Sequence, residues 1–226
     1  MRTPITSIRA FSEILYDNAD LGSDQRQHYL SIITKETERI SRLISQVLDL
    51  EKYESGKQTL YLTELDFKGF INECVEAVEQ LINHNNIKLS LKIEPGFAEV
   101  VFDRDKIMQV VINLLSNAIK HVEAGKGQIE LKAVMENGFI KISVMDNGKG
   151  IGESHQKAIF DKFYQADEKD FRKAKGSGLG LPISKKIVEL HEGEIGVIST
   201  VEEGAYFYFT IPLSLRDLLY KRIENE

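Results

Sequence analysis

Residues 110–121, VVINLLSNAIKH, combine a helical pattern of apolar residues with one polar face. Asn113 and Asn117 are four residues apart, and Lys120 and His121 follow three and four residues later. Positions three and four apart share one side of a helix, so these side chains are expected together. An amide oxygen suits Mg²⁺ that keeps most of its waters, and a nearby lysine can neutralise phosphate. Taken alone, the pattern also describes the polar face of an ordinary amphipathic helix.

A second motif, DNGKGIG at residues 146–152, comes directly after a predicted strand. Its glycines, Gly148, Gly150 and Gly152, let the loop pass close to a flat ligand. The carboxylate of Asp146 can accept a hydrogen bond from an exocyclic amine, which favours adenine over guanine. Taken alone, the motif is equally consistent with an ordinary glycine-rich turn after a strand that binds no ligand.

A third motif, KGSGLGLPISKKIVE at residues 175–189, sets Gly176, Gly178 and Gly180 immediately ahead of a predicted helix. Free backbone N–H groups and the helix dipole at such a start can bind an anion. The motif is not a Rossmann fingerprint, because Leu occupies position 181 and no predicted strand precedes it. No Gly-Lys-Ser/Thr follows as in a P-loop, and the HRD and DFG motifs of protein kinases are absent.

In this order, the three motifs closely resemble the Bergerat ATP-binding fold of histidine kinases, Hsp90, gyrase-type topoisomerases and MutL. The stretch FDKFYQ at 160–165 resembles the F box of histidine kinases, and the charged residues 166–175 after it would form the mobile lid over the nucleotide. The resemblance covers roughly residues 58–213. It implies an ATP site with Mg²⁺ as the metal.

One residue of the first motif separates the members of this superfamily. Its ATPases carry a glutamate that activates water, at the position that Asn113 fills here. An amide cannot accept that proton, so ATP hydrolysis is disfavoured and a better nucleophile is expected. A neutral imidazole is such a nucleophile. The resemblance therefore points to the histidine kinases.

The first five residues, MRTPI, resemble the second half of the sensor histidine kinase signature His-Glu-Leu/Met-Arg-Thr-Pro-Leu/Ile. The resemblance puts the phosphoacceptor histidine and the acidic residue after it just before Met1, so we expect the chain to begin inside that motif. Thr3 matches the family threonine that orients a water for dephosphorylation of the response regulator. Its other interpretation is a helix N-cap before Pro4.

None of the five histidines of the chain matches the acceptor signature. His28, His84 and His155 lack the following Glu and the Thr-Pro, and we expect them at the surface. His191 is followed by a glutamate, but it falls at the end of the helix after the third motif. We interpret His191 as structural.

We predict an α+β fold: an N-terminal helical hairpin forming a dimeric four-helix bundle, followed by a Bergerat-type α/β sandwich. Ile33, Ile40 and Val47 stand seven apart, and such a heptad seam needs a partner helix along its length. Two chains would build that bundle; a hairpin packed on its own second domain is the alternative. Strand patterns, a hairpin turn at residues 137–138 and amphipathic helices predict helices on one face of a mixed sheet.

The predicted domains follow this division. Residues 1–56 would form the dimerisation and phosphotransfer hairpin, lacking the phosphoacceptor histidine. Residues 57–215 would form the ATP-binding catalytic domain, and residues 216–226 a C-terminal tail, interpreted as a short helix.

The resemblance implies roles for individual residues. Asp146 would hold the adenine amine, Lys120 would contact phosphate, and Arg172 or Lys173 of the lid is a candidate to reach the γ-phosphate. The implied catalytic residues are Asn113, Lys120 and Thr3, and the implied metal ligands are Asn117 and Asn113. The implied nucleotide site comprises Asn113, Asn117, Lys120, His121, Asp146, Gly148, Gly150, Ile151, Phe160, Phe163, Arg172, Lys173, Gly176, Ser177, Gly178, Leu179, Gly180 and Leu181.

Composition limits the partners of the 226-residue chain. Its formal net charge of −6 argues against nucleic acid. No apolar run approaches the roughly 20 residues of a membrane span, and no signal peptide is visible. We therefore expect no membrane contact by this chain and a cytoplasmic location, although its parent protein could carry an anchor. The single cysteine, Cys74, excludes an internal disulfide and is expected to fill a helix face.

The resemblance also implies protein partners. These are a second copy of the chain through the N-terminal helices, and a response-regulator receiver domain that would dock against Ile8, Phe11 and Leu15. Two other functions stay open: a dimeric ATP-binding scaffold without transfer activity, and a serine-directed kinase of the anti-sigma type. The heptad hairpin argues against the serine kinase, because kinases of that type lack it.

Overall fold

The computed structural model describes residues 2–18, 20–55, 59–97, 99–165, 177–213 and 215, with the backbone alone for residues 2, 3 and 54. The chain divides into two compact units, Met1–Glu51 and Lys52–Glu226. Among the described residues, no helix combines the length and the apolar character that crossing a membrane requires. The predicted domain boundaries stay predictions, and the predicted C-terminal helix at residues 216–226 lies outside the described residues.

The first unit contains helix α1 (Arg2–Asp17) and most of helix α2 (Ser23–Glu54). The last turn of α2 belongs to the second unit. The rings of Phe11 and Tyr29 stack at 5.3 Å between centroids and tie the two helices together. The carbonyl of Gly22 accepts from the N–H of Arg26 in the first turn of α2. This arrangement confirms the predicted helical hairpin, and the bundle of two chains stays a prediction.

The second unit is built from a mixed sheet, a two-stranded sheet and short helices. Its elements are β1 (Leu62–Asp66), α3 (Phe67–Glu76), α4 (Glu79–His84), β2 (Lys88–Ile93), β3 (Glu99–Asp103), α5 (Arg104–His121), β4 (Gln128–Glu136), β5 (Phe139–Asp146), α6 (Glu153–Gln156), a 3₁₀ turn (Ala158–Phe160), α7 (Gly180–Leu190), β6 (Ile195–Thr200) and β7 (Gly204–Pro212). The large sheet has the order β2-β4-β5-β7-β6, and β1 pairs with β3 separately. Among the described strands of the large sheet, β2 and β4 run parallel and the other neighbours run antiparallel, which confirms the predicted mixed sheet.

Alternation along the central strands produces the sandwich. Ile140, Ile142 and Val144 of β5 are buried at every second position, because successive side chains of a strand point to opposite faces. Leu114 and Leu115 of α5 are fully buried and contribute to the same core. Each such side chain stabilises the fold by about 1.5–3 kcal/mol relative to exposure. The large sheet thus has one apolar face covered by helices.

The turn between β4 and β5 confirms the strongest local prediction. Asn137 and Gly138 have φ angles of 52° and 82°. Two successive residues with positive φ are those of a type I′ turn, whose twist matches that of the flanking strands. The register then pairs Glu136 with Phe139 and carries β5 to its end at Asp146, opposite Ile129 of β4.

Two segments differ from their sequence-based predictions. The apolar pattern over residues 67–82 predicts one helix, but the structure has α3 and α4 with a break at Val78. Val78 has φ −111° and is buried, so its packing in the core outweighs continuation of the helix. Strand β3 was not predicted. Its partner β1 lies roughly 40 residues earlier in the chain. The five residues of β3 are too few for their pattern to predict this pairing.

His191 is structural, as predicted. Its side chain is 0% exposed. Its Nε2 atom accepts a hydrogen bond from the backbone N–H of Asp103 at 3.2 Å, so Nδ1 carries the proton and donates to the carbonyl of Ile187 at 2.7 Å. The imidazole therefore joins the end of α7 to the start of α5 in its neutral form, with one ring nitrogen as donor and one as acceptor.

The other titratable predictions have mixed outcomes. His28 and His84 are exposed, as predicted, and Cys74 is fully buried on a helix face. Burial raises the pKa of the Cys74 thiol to about 12, so this thiol is unreactive at neutral pH. The surface prediction for His155 is wrong, because its ring is half-buried and Nδ1 is hydrogen-bonded to the hydroxyl of Tyr164. The chain turns back after α6, which brings these two rings together.

Burial of His191 makes the stability of the second unit depend on pH. Burial lowers the pKa of His191 below its ordinary 6.5. The unfolded chain therefore binds more protons below about pH 6.5, and the free energy of unfolding falls as the pH falls from there toward the lowered pKa. We expect His191→Gln to reduce the change in the free energy of unfolding with pH. Urea unfolding between about pH 5 and 8, a range that brackets the ordinary histidine pKa, measures the effect.

The matched control for this experiment is His28→Gln, which removes an exposed histidine. It should leave both the stability and its pH dependence unchanged. At neutral pH, His191→Gln should cost about 1–3 kcal/mol, because the N–H of Asp103 loses its fitted acceptor. Equal slopes for wild type and His191→Gln would show that His191 does not control the acid sensitivity.

Candidate functional site

The first motif lies on the second half of α5. The carboxylate of Asp103 caps this helix by accepting from the N–H of Lys106 at 3.2 Å. The apolar stripe of α5 is buried, which leaves Asn113 and Asn117 half-buried on one side. Lys120 and His121 follow in the last turn and are exposed. The helix therefore presents two amides and two basic groups along the side that the sequence predicted.

Asn113 connects this helix to the third motif. Its Nδ2 atom donates to the hydroxyl of Ser184 at 2.9 Å, and Ser184 is only 1% exposed. A Cβ atom added at Gly180 would lie 2.3 Å from Oδ1 of Asn113, so a larger residue there would require the Asn113 amide to move. Both ends of the amide thus face the first turns of α7. Sequence reasoning missed Ser184, although a polar residue on the apolar side of the α7 pattern was a usable signal.

Asp146 ends β5, where strand pairing sets it opposite Ala205 of β7. Its side chain is 7% exposed, and Oδ1 accepts from the N–H of Gly148 at 2.8 Å. Burial raises the pKa of Asp146 above its ordinary 3.8, and backbone hydrogen bonds from Gly148 and Ala205 oppose that shift. In the described parts of the chain, no lysine, arginine or histidine forms an ion pair with this carboxylate.

Close packing requires two glycines of the second motif, Gly148 and Gly150. A Cβ atom at Gly148 would lie 2.6 Å from the carbonyl oxygen of His121, so the loop passes directly against the end of α5. Gly150 has φ +67°, and a Cβ atom there would lie 1.9 Å from the carbonyl oxygen of Thr200. Only glycine fits these positions. The loop is therefore held between α5 and the turn that joins β6 to β7.

Helix α7 begins at Gly180, inside the third motif. Its first turn has no side-chain cap and no acidic residue. Its first backbone N–H groups therefore have no side-chain acceptor within the described residues, and the dipole favours an anion there. Ser177 accepts through its hydroxyl from the N–H of Leu179 at 3.2 Å. Leu179 is buried, and Leu181 is half-buried at the start of the helix.

The F box touches the third motif through its backbone. The N–H of Phe163 donates to the carbonyl of Gly178 at 2.9 Å, and both residues have positive φ angles. A Cβ atom at Gly178 would lie 2.8 Å from the backbone of Phe163. The side chain of Phe163 is 58% exposed, and Phe160 is half-buried. The contact between the F box and the glycines is thus a main-chain contact.

Several residues of the implied site lie outside the described residues, namely Arg172, Lys173 and Gly176. The side chain of Thr3 also lies outside them. Their roles stay predictions. The described residues of all four motifs are joined by contacts: α5 to the loop at Gly148, α5 to α7 at Asn113, and the F box to α7 at Gly178.

The chemistry of this set fits a nucleotide and a hard cation. A buried carboxylate suits an amine donor, and the uncapped start of α7 suits phosphate. Within the described residues, no group of three or more His, Cys, Asp or Glu side chains could hold a metal ion. Amide oxygens with phosphate oxygens and waters are the alternative coordination for Mg²⁺, which keeps several waters. Asn113 and Asn117 supply such amides.

Comparison with family models gives two matches along the chain. Residues 102–215 match the model of the histidine kinase-, DNA gyrase B- and HSP90-like ATPases. Residues 1–56 match the model of the His Kinase A (phospho-acceptor) domain.

Curated relatives include sensor protein kinases named WalK. The chain is 34% identical to WalK of Staphylococcus epidermidis over 95% of its own length and 35% of the relative. It is 33% identical to one WalK of Staphylococcus aureus over 94% of its own length and 51% of the relative. The chain therefore spans between a third and a half of the length of these relatives.

Solved structures resemble the chain across both units. The histidine kinase ThkA in complex with the response regulator protein TrrA aligns with a TM-score of 0.76 at 29% identity, over 95% of this chain and 59% of that one. The catalytic domain of ThkA aligns with a TM-score of 0.60 at 32% identity, over 68% of this chain and 96% of that one. ShkA in complex with AMPPNP shares the fold, with a TM-score of 0.74 at 24% identity, over 93% of this chain and 43% of that one.

The buried carboxylate leads to a direct binding test. We expect Asp146→Asn to weaken adenine nucleotide binding about 10- to 100-fold, because a charged acceptor becomes an amide that also carries donors. The amide oxygen can still accept from Gly148, so the fold should persist. Calorimetric titration with ADP or ATP measures the effect. The control is Asp105→Asn, which changes an exposed carboxylate in the first turn of α5, outside the motifs.

The raised pKa of Asp146 adds a pH dependence to this test. A protonated carboxyl cannot serve as a charged acceptor, so nucleotide affinity should decline on acidification, starting at a higher pH than for an ordinary aspartate. Asp146→Asn should lack this decline. Unchanged nucleotide affinity in Asp146→Asn would remove this residue from the site.

Proposed function

This chain belongs to the sensor histidine kinases, and we propose that it is a catalytic core that binds Mg·ATP and transfers the γ-phosphoryl group to a histidine. The observation that carries the proposal is the set of contacts that join the three Bergerat motifs and the F box, made by Asn113, Gly148, Phe163, Gly178 and Gly180. The relatives are longer than this chain, so the activity of the whole protein is part of the proposal.

Nucleotide binding would divide between the motifs. Asp146 would accept from the exocyclic amine of adenine, which gives preference for adenine over guanine. Lys120 and the N–H groups at the start of α7 would contact the phosphates. Asn117 and Asn113 would hold Mg²⁺, which when bound neutralises phosphate charge. Arg172 or Lys173 is proposed to reach the γ-phosphate.

The residue at position 113 favours transfer to a protein group over hydrolysis. Asn113 donates to Ser184 and has no proton-accepting carboxylate, so it cannot act as the base that activates water. A neutral imidazole nitrogen attacks phosphorus without such a base. The bond between phosphorus and the β,γ-bridging oxygen breaks as the nitrogen–phosphorus bond forms, and ADP leaves. The chain's own contribution is positioning and charge neutralisation.

The helical hairpin would supply the partners' surfaces. Its exposed apolar side chains include Ile5, Ile14, Leu30, Ile44 and Leu48. The heptad residues Ile33, Ile40 and Val47 are half-buried, and together with these exposed side chains they are proposed to pack against a second copy of the chain. The phosphoryl group would then pass from the histidine to an aspartate of a response-regulator receiver domain, docked near Ile8, Phe11 and Leu15. The complex of ThkA with TrrA supports this kind of partner. Thr3 would assist removal of phosphate from the regulator.

A labelling experiment tests the transfer step. Because MRTPI resembles the second half of the phosphoacceptor signature, a chain extended with His-Glu ahead of Met1 should take up labelled phosphate from [γ-³²P]ATP. The label should be lost in acid and kept in alkali, as for a phosphohistidine. Chelation of divalent cations should prevent it.

Two variants sharpen this experiment. The extended chain with Asp146→Asn should be labelled far more slowly, and the extended chain with Asp105→Asn should behave as the parent. An extended chain that binds ATP but takes up no label would favour the nucleotide-binding scaffold. A label that survives acid would favour the serine-directed kinase.

The amide at position 113 also leads to a prediction for hydrolysis. Release of phosphate from ATP by the purified chain should be negligible beside the roughly 1–100 per second typical of kinase turnover. The reason is that no carboxylate replaces the Asn113 amide as a base for water. A coupled assay of phosphate release measures the rate. Brisk turnover would contradict the assignment of Asn113.

A further inference from the structure

We propose that Ser199 of β6, together with Gln156 of α6, is a positioning residue that holds residues 147–151 in the conformation that reads adenine. Neither residue belongs to the four motifs. The inference rests on the proposed nucleotide site at Asp146, and it assigns adenine discrimination to a hydrogen-bonded brace behind that site.

The hydroxyl of Ser199 links the second motif to the end of the sheet. It accepts from the backbone N–H of Ile151 at 2.8 Å and donates to the carbonyl of Gly204 at 2.5 Å. Gly204 itself lies against Asp146, because a Cβ atom there would be 1.9 Å from the Asp146 carbonyl oxygen. One hydroxyl thus fixes the far end of the loop relative to the strand that carries the carboxylate.

Gln156 closes the brace from the other side. Its Nε2 atom donates to the carbonyl of Ile151 at 3.1 Å and to the carbonyl of Ser199 at 2.7 Å. The amide therefore uses both of its N–H donors on backbone groups. The N–H of Ile151 is therefore bonded to Ser199, and its carbonyl is bonded to Gln156. Both side chains are half-buried, so water competes weakly for these groups.

The backbone of the β6–β7 turn adds to this support. The N–H of Glu202 donates to the carbonyl of Lys149 at 2.8 Å. Gly150 packs directly on the carbonyl of Thr200. Lys149, Gly150 and Ile151 are thus attached to β6 and the turn after it. The start of the loop is attached elsewhere, because Gly148 packs on the end of α5 and Asn147 is hydrogen-bonded to Gln128.

The reason for such a brace is the flexibility of the loop. A segment with alternate glycines has many accessible conformations, and a ligand that needs one of them must order the rest. Preorganisation by Ser199 and Gln156 removes that cost in advance. The brace acts on the part of the site that reads the base, and the start of α7 lies on another element. Loss of the brace should therefore reduce adenine affinity more than affinity for the phosphates.

The experiment compares ATP and GTP binding by calorimetry for the wild-type chain, Ser199→Ala and Gln156→Met. Each variant removes donors or acceptors of the brace without filling the loop. We expect ATP to bind about tenfold more weakly, as for loss of a hydrogen bond that holds buried backbone, and the preference for ATP over GTP to fall. Ser199→Thr keeps the hydroxyl and should restore both.

The control is Ser154→Ala, which removes an exposed hydroxyl on α6 and should bind ATP as the wild type does. In a double-mutant cycle, Ser199→Ala should add little to the loss caused by Asp146→Asn, because both act on reading of the base. If Ser199→Ala does not fold, Gln156→Met carries the test.

The outcomes separate this inference from the proposed function. Wild-type protein that binds no adenine nucleotide would overturn the proposed site. Wild-type protein that binds ATP, with Ser199→Ala and Gln156→Met unchanged in affinity and in preference for ATP, would overturn the brace. A lower melting temperature with unchanged discrimination, or additive losses in the cycle, would show a merely structural role and also overturn it.

Discussion

Burial of the Asp146 carboxylate at the end of β5 is the constraint on which the candidate site depends. A buried charge is costly unless other groups stabilise it, and here backbone N–H groups supply the described stabilisation. Perturbed carboxylates of this kind concentrate at functional sites. The same constraint explains the glycine at position 148. The N–H of Gly148 donates to the Asp146 carboxylate, and a side chain at this position would collide with the end of α5.

The three elements of the candidate site, α5, α7 and the loop after β5, are held in place in different ways. Helix α5 is fixed by a fully buried apolar stripe and by an aspartate cap, so its polar side is a rigid surface. Helix α7 is attached to α5 through Asn113 and Ser184. The loop after β5 has no core of its own, and side chains of α6 and β6 hold it instead. A rigid helix pair and a braced loop are what a site needs to bind a flexible ligand without large ordering costs.

The relation to the sensor histidine kinases accounts for both units of the chain. Family models match the helical hairpin and most of the sandwich. Under the proposed function, the amide of Asn113 is what distinguishes this chain from hydrolytic members of the superfamily. An amide there keeps the hydrogen-bonding shape of the site but removes the base. The same fold can therefore serve transfer to an imidazole, as proposed, because its chemistry lies in the residues attached to the fold.

Local patterns in the sequence determined the helices α1, α2, α5 and α7, the strands β4 and β5 with their Asn137-Gly138 turn, and the order of the motifs. Such features depend on residues close together in the chain, so the spacing of apolar and polar residues predicts them. Tertiary structure alone decided the break at Val78, the pairing of β3 with β1, the contact of His155 with Tyr164, and the hydrogen bonds of Ser184, Ser199 and Gln156. These depend on contacts between residues distant in the chain, where one serine or glutamine leaves no repeating pattern to read.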